Sequence, residues 1–371
     1  MKLWNYIKEE AISNCRNMGY ILFRRRDLKQ LRSYIFARAT VANVGPGLPH
    51  IFYKRWPKLA PYPREIEVEI TTRCHLKCIH CEHTYWSEEN RDLSFDEYKH
   101  ILSQFPGLWW INTTGEGSSF LNKDFIRILE YTKKKGVFVK FVESFTNLKR
   151  DEMEAVIKLG VERIYCSMEG ATAKTYEEIR RGASFNKVLE NLKIFDDLKK
   201  KYQSPLPEIS FRYVIMGNNY QELPDFIRLI KKLNVSNTIN IVGTLDFKEI
   251  QHLSIKKRDD YLKELNRIAD ECDIDIPLGD TIMQPPITQC SCWVQPYIMM
   301  GGYVMPCCGV MMANRRDFLR KNCLGNIFEK PFTEIWNSPR YKALRNGVPQ
   351  KTGTLDPMCI GCRSFNTLGR V

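Results

Sequence analysis

No stretch of about 18 uninterrupted apolar residues occurs in this 371-residue chain, which excludes a transmembrane helix of ordinary length. The opening Met1-Lys2-Leu3-Trp4-Asn5-Tyr6 lacks the apolar core of a secretion signal, so the protein is expected to stay in the cytoplasm. Acidic residues are also short, 43 Asp and Glu against 56 Lys and Arg. The resulting charge of +13 favours an anionic partner: a phosphorylated small molecule, a lipid headgroup or a nucleic acid. A hydrophobic fraction of 43% with 27% charged residues excludes a disordered chain and leaves room for one large domain and a smaller one. Cysteine is plentiful: there are 13, in short-spaced groups, which in a reducing compartment points to metal ligation rather than disulfides.

In chain order, residues 1–36 read as one or two amphipathic helices, with Leu3, Ile7, Ala11 and Cys15 at every fourth position and a basic run at Arg24-Arg25-Arg26. Such a segment either packs on the core with a solvated basic face or lies on an anionic membrane surface. Glycines and prolines between Val41 and Pro63 mark a connector. Glu65-Ile66-Glu67-Val68-Glu69-Ile70 alternates as a half-buried strand does and runs directly into a cysteine loop. Ser94 with Glu97 three residues later predicts a capped helix start. Strand-like and helix-like segments then alternate as far as Val242. This pattern implies a parallel sheet with helical crossovers, in about six units, too few for a closed eight-fold barrel. The division predicted is 1–63 for a helical extension and connector, 64–250 for the α/β core, 251–285 for a helical linker and 286–371 for a second cysteine-rich domain.

Cys74, Cys78 and Cys81 have three and then two residues between them. Three thiols about one centre supply one ligand fewer than a closed tetrahedral zinc or cubane iron-sulfur site requires, leaving a coordination position open. A zinc site completed by a distant ligand shares this spacing. The motif resembles the hallmark of the radical S-adenosylmethionine (SAM) superfamily, in which the open iron takes the amino and carboxylate groups of SAM. The resemblance implies an α/β fold: a partial (β/α)6 TIM-type barrel with a small C-terminal cluster-binding α+β domain and an N-terminal helical extension. It extends to Gly115-Glu116, at the place of a Gly-Gly-Glu motif that holds the SAM amino group, although Thr114 replaces the first glycine. Ser167-Met168-Glu169-Gly170 resembles a Ser-x-Asp-Gly signature with glutamate for aspartate, and Arg180 lies ten residues beyond Gly170. The resemblance implies that Ser167 and Arg180 contact the SAM carboxylate or ribose, that Asn219 also contacts SAM, and that His80 stands where an aromatic ring usually meets the adenine.

Cys290, Cys292, Cys307, Cys308, Cys323, Cys359 and Cys362 follow near the C-terminal end. Cys292, nine residues, Gly302, four residues and Cys307 resembles the opening of a SPASM-type module, with a hairpin predicted about Gly301-Gly302. With Cys359 and Cys362 these thiols would hold one auxiliary [4Fe-4S] cluster, although Cys290 or Cys308 is placed to replace a neighbour. The implied chemistry is reductive cleavage of SAM at the first [4Fe-4S] cluster and hydrogen abstraction from an unactivated carbon. The expected partners are an anionic small-molecule or lipid substrate, an electron donor such as ferredoxin or flavodoxin, and a membrane surface met through residues 1–36; nucleic acid is disfavoured. Peptide modification and a zinc-binding nucleic-acid module are the alternatives.

Overall fold

The computed structural model describes residues 62–245, 247–255, 259–276, 290, 292–347, 356–360 and 362, with isolated positions before them (15, 18, 19, 22, 23, 26, 28, 31 and 56). Most of the N-terminal extension, the connector and the end of the linker, on which several expectations fall, lie outside the described residues.

Six parallel strands form the core: β1 (Glu65–Val68), β3 (Trp110–Asn112), β4 (Phe138–Glu143), β5 (Arg163–Ser167), β7 (Glu208–Val214) and β8 (Ile239–Val242), adjacent in that order. Between them run α1 (Phe95–Ser103), α2 (Phe125–Lys134), α3 (Arg150–Leu159), α4 (Ala173–Ile179), α5 (Phe185–Lys201) and α6 (Leu223–Leu233). This is the expected partial barrel. The α1 start carries the predicted capping box, with the Ser94 side chain accepting from the Glu97 amide and the Glu97 carboxylate accepting from the Ser94 amide.

Strand alternation divides the barrel chemically. Ile66, Val68, Ile111, Val139, Phe141, Ile164 and Phe211 are buried against the helices and supply the apolar driving force for folding. The opposite face carries Glu67, Asn112, Lys140, Tyr165, Arg212 and Asn240, all only half-buried, beside the buried aromatic pair Trp110 and Phe138. In an incomplete barrel the inward polar groups form the face on which a bound molecule would be held, called the chamber below. Two features were not foreseen. β2 (Lys77–Cys78), inside the cysteine loop, pairs with β6 (Arg180–Arg181) beyond α4. The C-terminal hairpin of β9 (Tyr297–Met299) and β10 (Tyr303–Met305) joins the same sheet, β9 running parallel to β1. The second module thus covers the free edge of the barrel's first strand, satisfying backbone groups that would otherwise be an exposed pairing site. Gly301 and Gly302 make the hairpin turn at φ +90° and +84°, where a side chain would be strained. The linker helix α7 (Asp259–Cys272) is followed beyond the hairpin by α8 (Arg316–Asn322), α9 (Phe332–Asn337) and α10 (Pro339–Gly347).

Candidate active site

The first thiol group sits at the carboxyl end of β1, where barrel chemistry is placed. Cys78 is tied down through the β2–β6 pairing, and the Ile79 amide donates to the Ile179 carbonyl at 2.9 Å. Burial pushes the Cys78 thiol up to about 11 and raises Cys74 and Cys81 in the same direction. Buried thiols held neutral in this way are offset on binding a cationic iron centre, which displaces their protons. None of the cysteines is disulfide-bonded. Among the described residues no three His, Cys, Asp or Glu side chains close on a point as the ligands of a single ion would. A cubane cluster spreads its thiolates more widely, one at each iron.

Around the loop lies an excess of buried carboxylate. Glu116 accepts from the Cys81 thiol at 3.4 Å. Burial and the neighbouring Glu69 raise its carboxyl, and burial followed by Glu116 raises Glu82 well above the ordinary range. Both Glu82 carboxylate oxygens and Glu69 Oε1 are buried without hydrogen-bond partners. Gly115 lies so close to Glu69 that a Cβ there would stand 2.5 Å from Glu69 Cγ. Among the described residues the cation that forms an ion pair within this group is Arg316 of α8, whose side chain is only 3% exposed. Its Nη2 donates to Glu69 Oε2 at 2.6 Å, and it lies 3.8 Å from Glu82, 3.4 Å from Glu88 and 4.6 Å over the Trp86 ring. Three buried carboxyl groups at the cysteine loop with one guanidinium among them leave acceptor oxygens unpartnered, which the ammonium of a bound SAM would satisfy, so the residues present fit that cofactor.

The remaining expected contacts are placed as follows. Arg180 is buried and bound in a fork to Glu169, with Nη2 2.9 Å from Oε1, while its Nη1 lies 3.7 Å from the Cys78 sulfur. Glutamate in place of aspartate thus gives Arg180 an internal partner. Asn219 is spent on the fold: its Oδ1 accepts from the Met216 amide at 2.7 Å, and its Nδ2 donates to the Glu169 carbonyl at 3.1 Å and the Val214 carbonyl at 2.9 Å. Ser167 ends β5, buried. His80 is buried with Nδ1 unpartnered, and burial lowers its pKa to about 4, so it is a neutral wall.

The second thiol group assembles from four separated positions. Cys307 has Cys292, Cys359 and Cys362 as electrostatic neighbours, and a Cβ on Gly309 would lie 3.5 Å from Cys307 Sγ and 4.0 Å from Cys362 Sγ. Burial raises Cys307 well above its ordinary value and Cys359 to about 12. Cys308 also adjoins but turns to Glu67 of β1, with which it hydrogen-bonds. Cys290 accepts from the Cys292 amide at 3.4 Å, and Cys323 lies with Arg340 and Glu329 instead.

A half-open α/β barrel with a three-thiol loop at the end of its first strand, and a four-thiol set at its edge, defines an iron-sulfur scaffold for binding SAM. Comparison with known proteins agrees: residues 68–230 match the Radical SAM superfamily model and residues 290–363 the SPASM iron-sulfur cluster-binding domain, so the chain belongs to the radical SAM superfamily and carries a C-terminal SPASM domain. It is 24% identical over 324 residues, 80% of this chain and 86% of the relative, to the tungsten-containing aldehyde ferredoxin oxidoreductase cofactor-modifying protein of Pyrococcus furiosus. It is 22% identical over 321 residues, 81% of this chain and 79% of the relative, to the PqqA peptide cyclase of Rhodopseudomonas palustris. Streptococcus suis SuiB bound to S-adenosylmethionine shares the fold at a TM-score of 0.63 and 15% identity, covering 90% of this chain and 80% of that one. The cofactors of such a chain are SAM, a [4Fe-4S] cluster and auxiliary iron-sulfur chemistry. Members of the superfamily are enzymes. Among the described residues no helix is long and apolar enough to cross a membrane.

Proposed function

We propose that this chain is a radical SAM enzyme of oxidoreductase type acting on an anionic small-molecule or lipid substrate held in the barrel chamber, by dehydrogenation, epimerisation or carbon-carbon bond formation. With SAM and a reduced cluster bound, the site supplies a 5′-deoxyadenosyl radical that takes a hydrogen atom from an unactivated carbon. Cys74, Cys78 and Cys81 would hold that cluster through three thiolates, one fewer than a closed site takes. Glu116 accepts from the SAM ammonium, and Gly115 permits the close backbone approach. Ser167 is placed at the strand end to reach the ribose or carboxylate. Arg180 donates toward the Cys78 sulfur, which steadies a ligating thiolate. Cys292, Cys307, Cys359 and Cys362 hold one auxiliary [4Fe-4S] cluster, and a ferredoxin or flavodoxin supplies electrons.

The observation that carries the substrate reading is the polar, half-buried inward face of the strands, Glu67, Asn112, Lys140, Tyr165, Arg212 and Asn240, against the buried apolar outward face. A chamber so lined suits a small charged molecule. One relative is named for a cofactor and another for a peptide. The test is to give the reconstituted enzyme deuterated candidate pools, phosphorylated sugars, polar lipids and peptides separately, and follow deuterium into 5′-deoxyadenosine. Label from the first or second pool is expected; label from the peptide pool alone would overturn the substrate class.

A further inference from the structure

Among the described residues, several cations on the inward face of the barrel and at its cysteine loop are matched to carboxylates, and Arg212 is not. Lys140 is paired with Glu65, Arg163 with Glu208 at 2.8 Å, Arg180 with Glu169, and Arg316 with Glu69 at 2.6 Å. Arg212, on the inward face of β7, has no carboxylate within ion-pair distance among the described residues, and its Nε is buried without a hydrogen-bond partner. Its backbone is in register with Ser167 on β5 and Asn240 on β8, which sets it among the residues that line the chamber. The guanidinium lies 5.2 Å over the Tyr165 ring. Stacking of this kind fixes the plane of the group and leaves its N–H edge free for a two-pronged acceptor. Arg163 and Lys140 also act on Tyr165, but each is already paired with a carboxylate, which leaves Arg212, among the described residues, as the cation here without one.

Location narrows what that edge would receive. The Arg212 charge is felt at Glu116, beside the first thiol loop, and at Cys308, beside the second thiol group. Arg212 is therefore within electrostatic range of both groups, as a residue holding a substrate for chemistry from either side would be. An unpaired, partly desolvated guanidinium is unfavourable unless an anion completes it. Of the carboxylates at the loop, Glu69 is engaged with Arg316 and Glu116 with the Cys81 thiol, and the inward Glu67 is committed to Asn112 and Cys308.

We propose that Arg212, braced on the Tyr165 ring, anchors an anionic group of the substrate, a carboxylate or a phosphate, in the chamber between the two thiol sets. This rests on the chamber being the substrate site of a SAM-cleaving enzyme. The fork geometry requires arginine: lysine keeps the charge but makes a single-pointed contact.

The test uses the anaerobically reconstituted full chain saturated with SAM, titrated calorimetrically with inorganic phosphate and, separately, with succinate at constant ionic strength. The wild type should bind at least one of them saturably. R212Q should weaken that binding roughly tenfold or more, and R212K by a smaller factor, as expected when a charge-assisted hydrogen-bonded pair is removed or reduced to one point. Preference for phosphate would identify a phosphorylated substrate, and preference for succinate a carboxylate. Iron content and SAM affinity measured on both variants should match the wild type. The proposal is overturned if the wild type binds neither anion, if both variants bind as the wild type does, or if SAM affinity falls along with anion affinity, which would assign Arg212 to the cofactor. Absence of 5′-deoxyadenosine from the wild-type enzyme would instead sink the underlying reading, independently of how the anions bind.

Discussion

Replacing Arg316 by methionine should destabilise the holoprotein more than any surface charge change, because Arg316 ties two modules together inside the structure. Its side chain is 3% exposed, and those of Glu69 and Glu82 are 0% exposed. Methionine fills a similar volume but leaves Glu69 with only the Met300 amide, at 2.8 Å, and removes the positive charge nearest Glu82. Breaking a buried pair from one side costs roughly 3–5 kcal/mol, since the carboxylate left behind stays desolvated. At the sensitivity of folded domains this is a fall in thermal midpoint on the order of 6–20 °C. The assay is anaerobic thermal unfolding followed by near-ultraviolet circular dichroism and by cluster absorbance. Lysine should recover only part of the loss, because one ammonium cannot reach Glu69, Glu82 and Glu88 from the same position. A midpoint for R316M within about 2 °C of the wild type would refute the reasoning, since such a shift corresponds to less than roughly 1 kcal/mol. The cysteine-loop carboxylates would then be held by something other than this contact.

His80 is neutral in the fold with its pKa lowered to about 4 by burial, so the unfolded chain takes up its proton first as the medium is acidified. Stability should fall between about pH 6.5 and 4 by up to ~1.4 kcal/mol per unit from this group and level off below, and denaturant titrations of His80→Leu should show a shallower slope. Alanine at Cys292, Cys307, Cys359 or Cys362 should lower the iron content from about eight to about four per chain, whereas alanine at Cys290 or Cys323 should leave it near eight; equal losses at all six would contradict the assignment. Gly115→Ala should weaken SAM binding by roughly tenfold or more, because its Cβ would lie 2.5 Å from Glu69 Cγ and push a cofactor-facing carboxylate aside; an unchanged equilibrium affinity would argue against that cradle.

The local parts of this architecture were legible because local physics sets them. The alternation at residues 65–70 marked the first strand, and the Ser94–Glu97 pair marked the start of α1. The Leu223–Leu233 helix and the Arg163–Ser167 strand fall where periodicity places them. The alternation marked a strand with one face buried but not what its polar face meets, which in the open barrel is the chamber. Long-range pairings left no trace in sequence: β9 beside β1 joins segments more than 200 residues apart, and the two-residue β2–β6 ladder is too short to carry a period. Arg316 was missed for the same reason, since the Arg315-Arg316 pair belongs to no motif and Arg316 gains its meaning only from Glu69 and Glu82 across the module boundary. Family spacing pointed to Arg180 and Asn219 as cofactor contacts, and the fold shows both already engaged through Glu169. The choice between Cys308 and its neighbours could not be made from spacing, because it depends on which thiol turns toward Glu67.

The central claim is that the loop carrying Cys74, Cys78 and Cys81 supports reductive cleavage of SAM. The most direct test is to reconstitute the full chain with iron and sulfide under anaerobic conditions, add SAM and a strong one-electron reductant, and quantify 5′-deoxyadenosine and methionine. The wild type should form both in equal amounts, and Cys78→Ala should form neither. Undiminished 5′-deoxyadenosine from Cys78→Ala, or none from a wild type containing its full iron, would contradict the account.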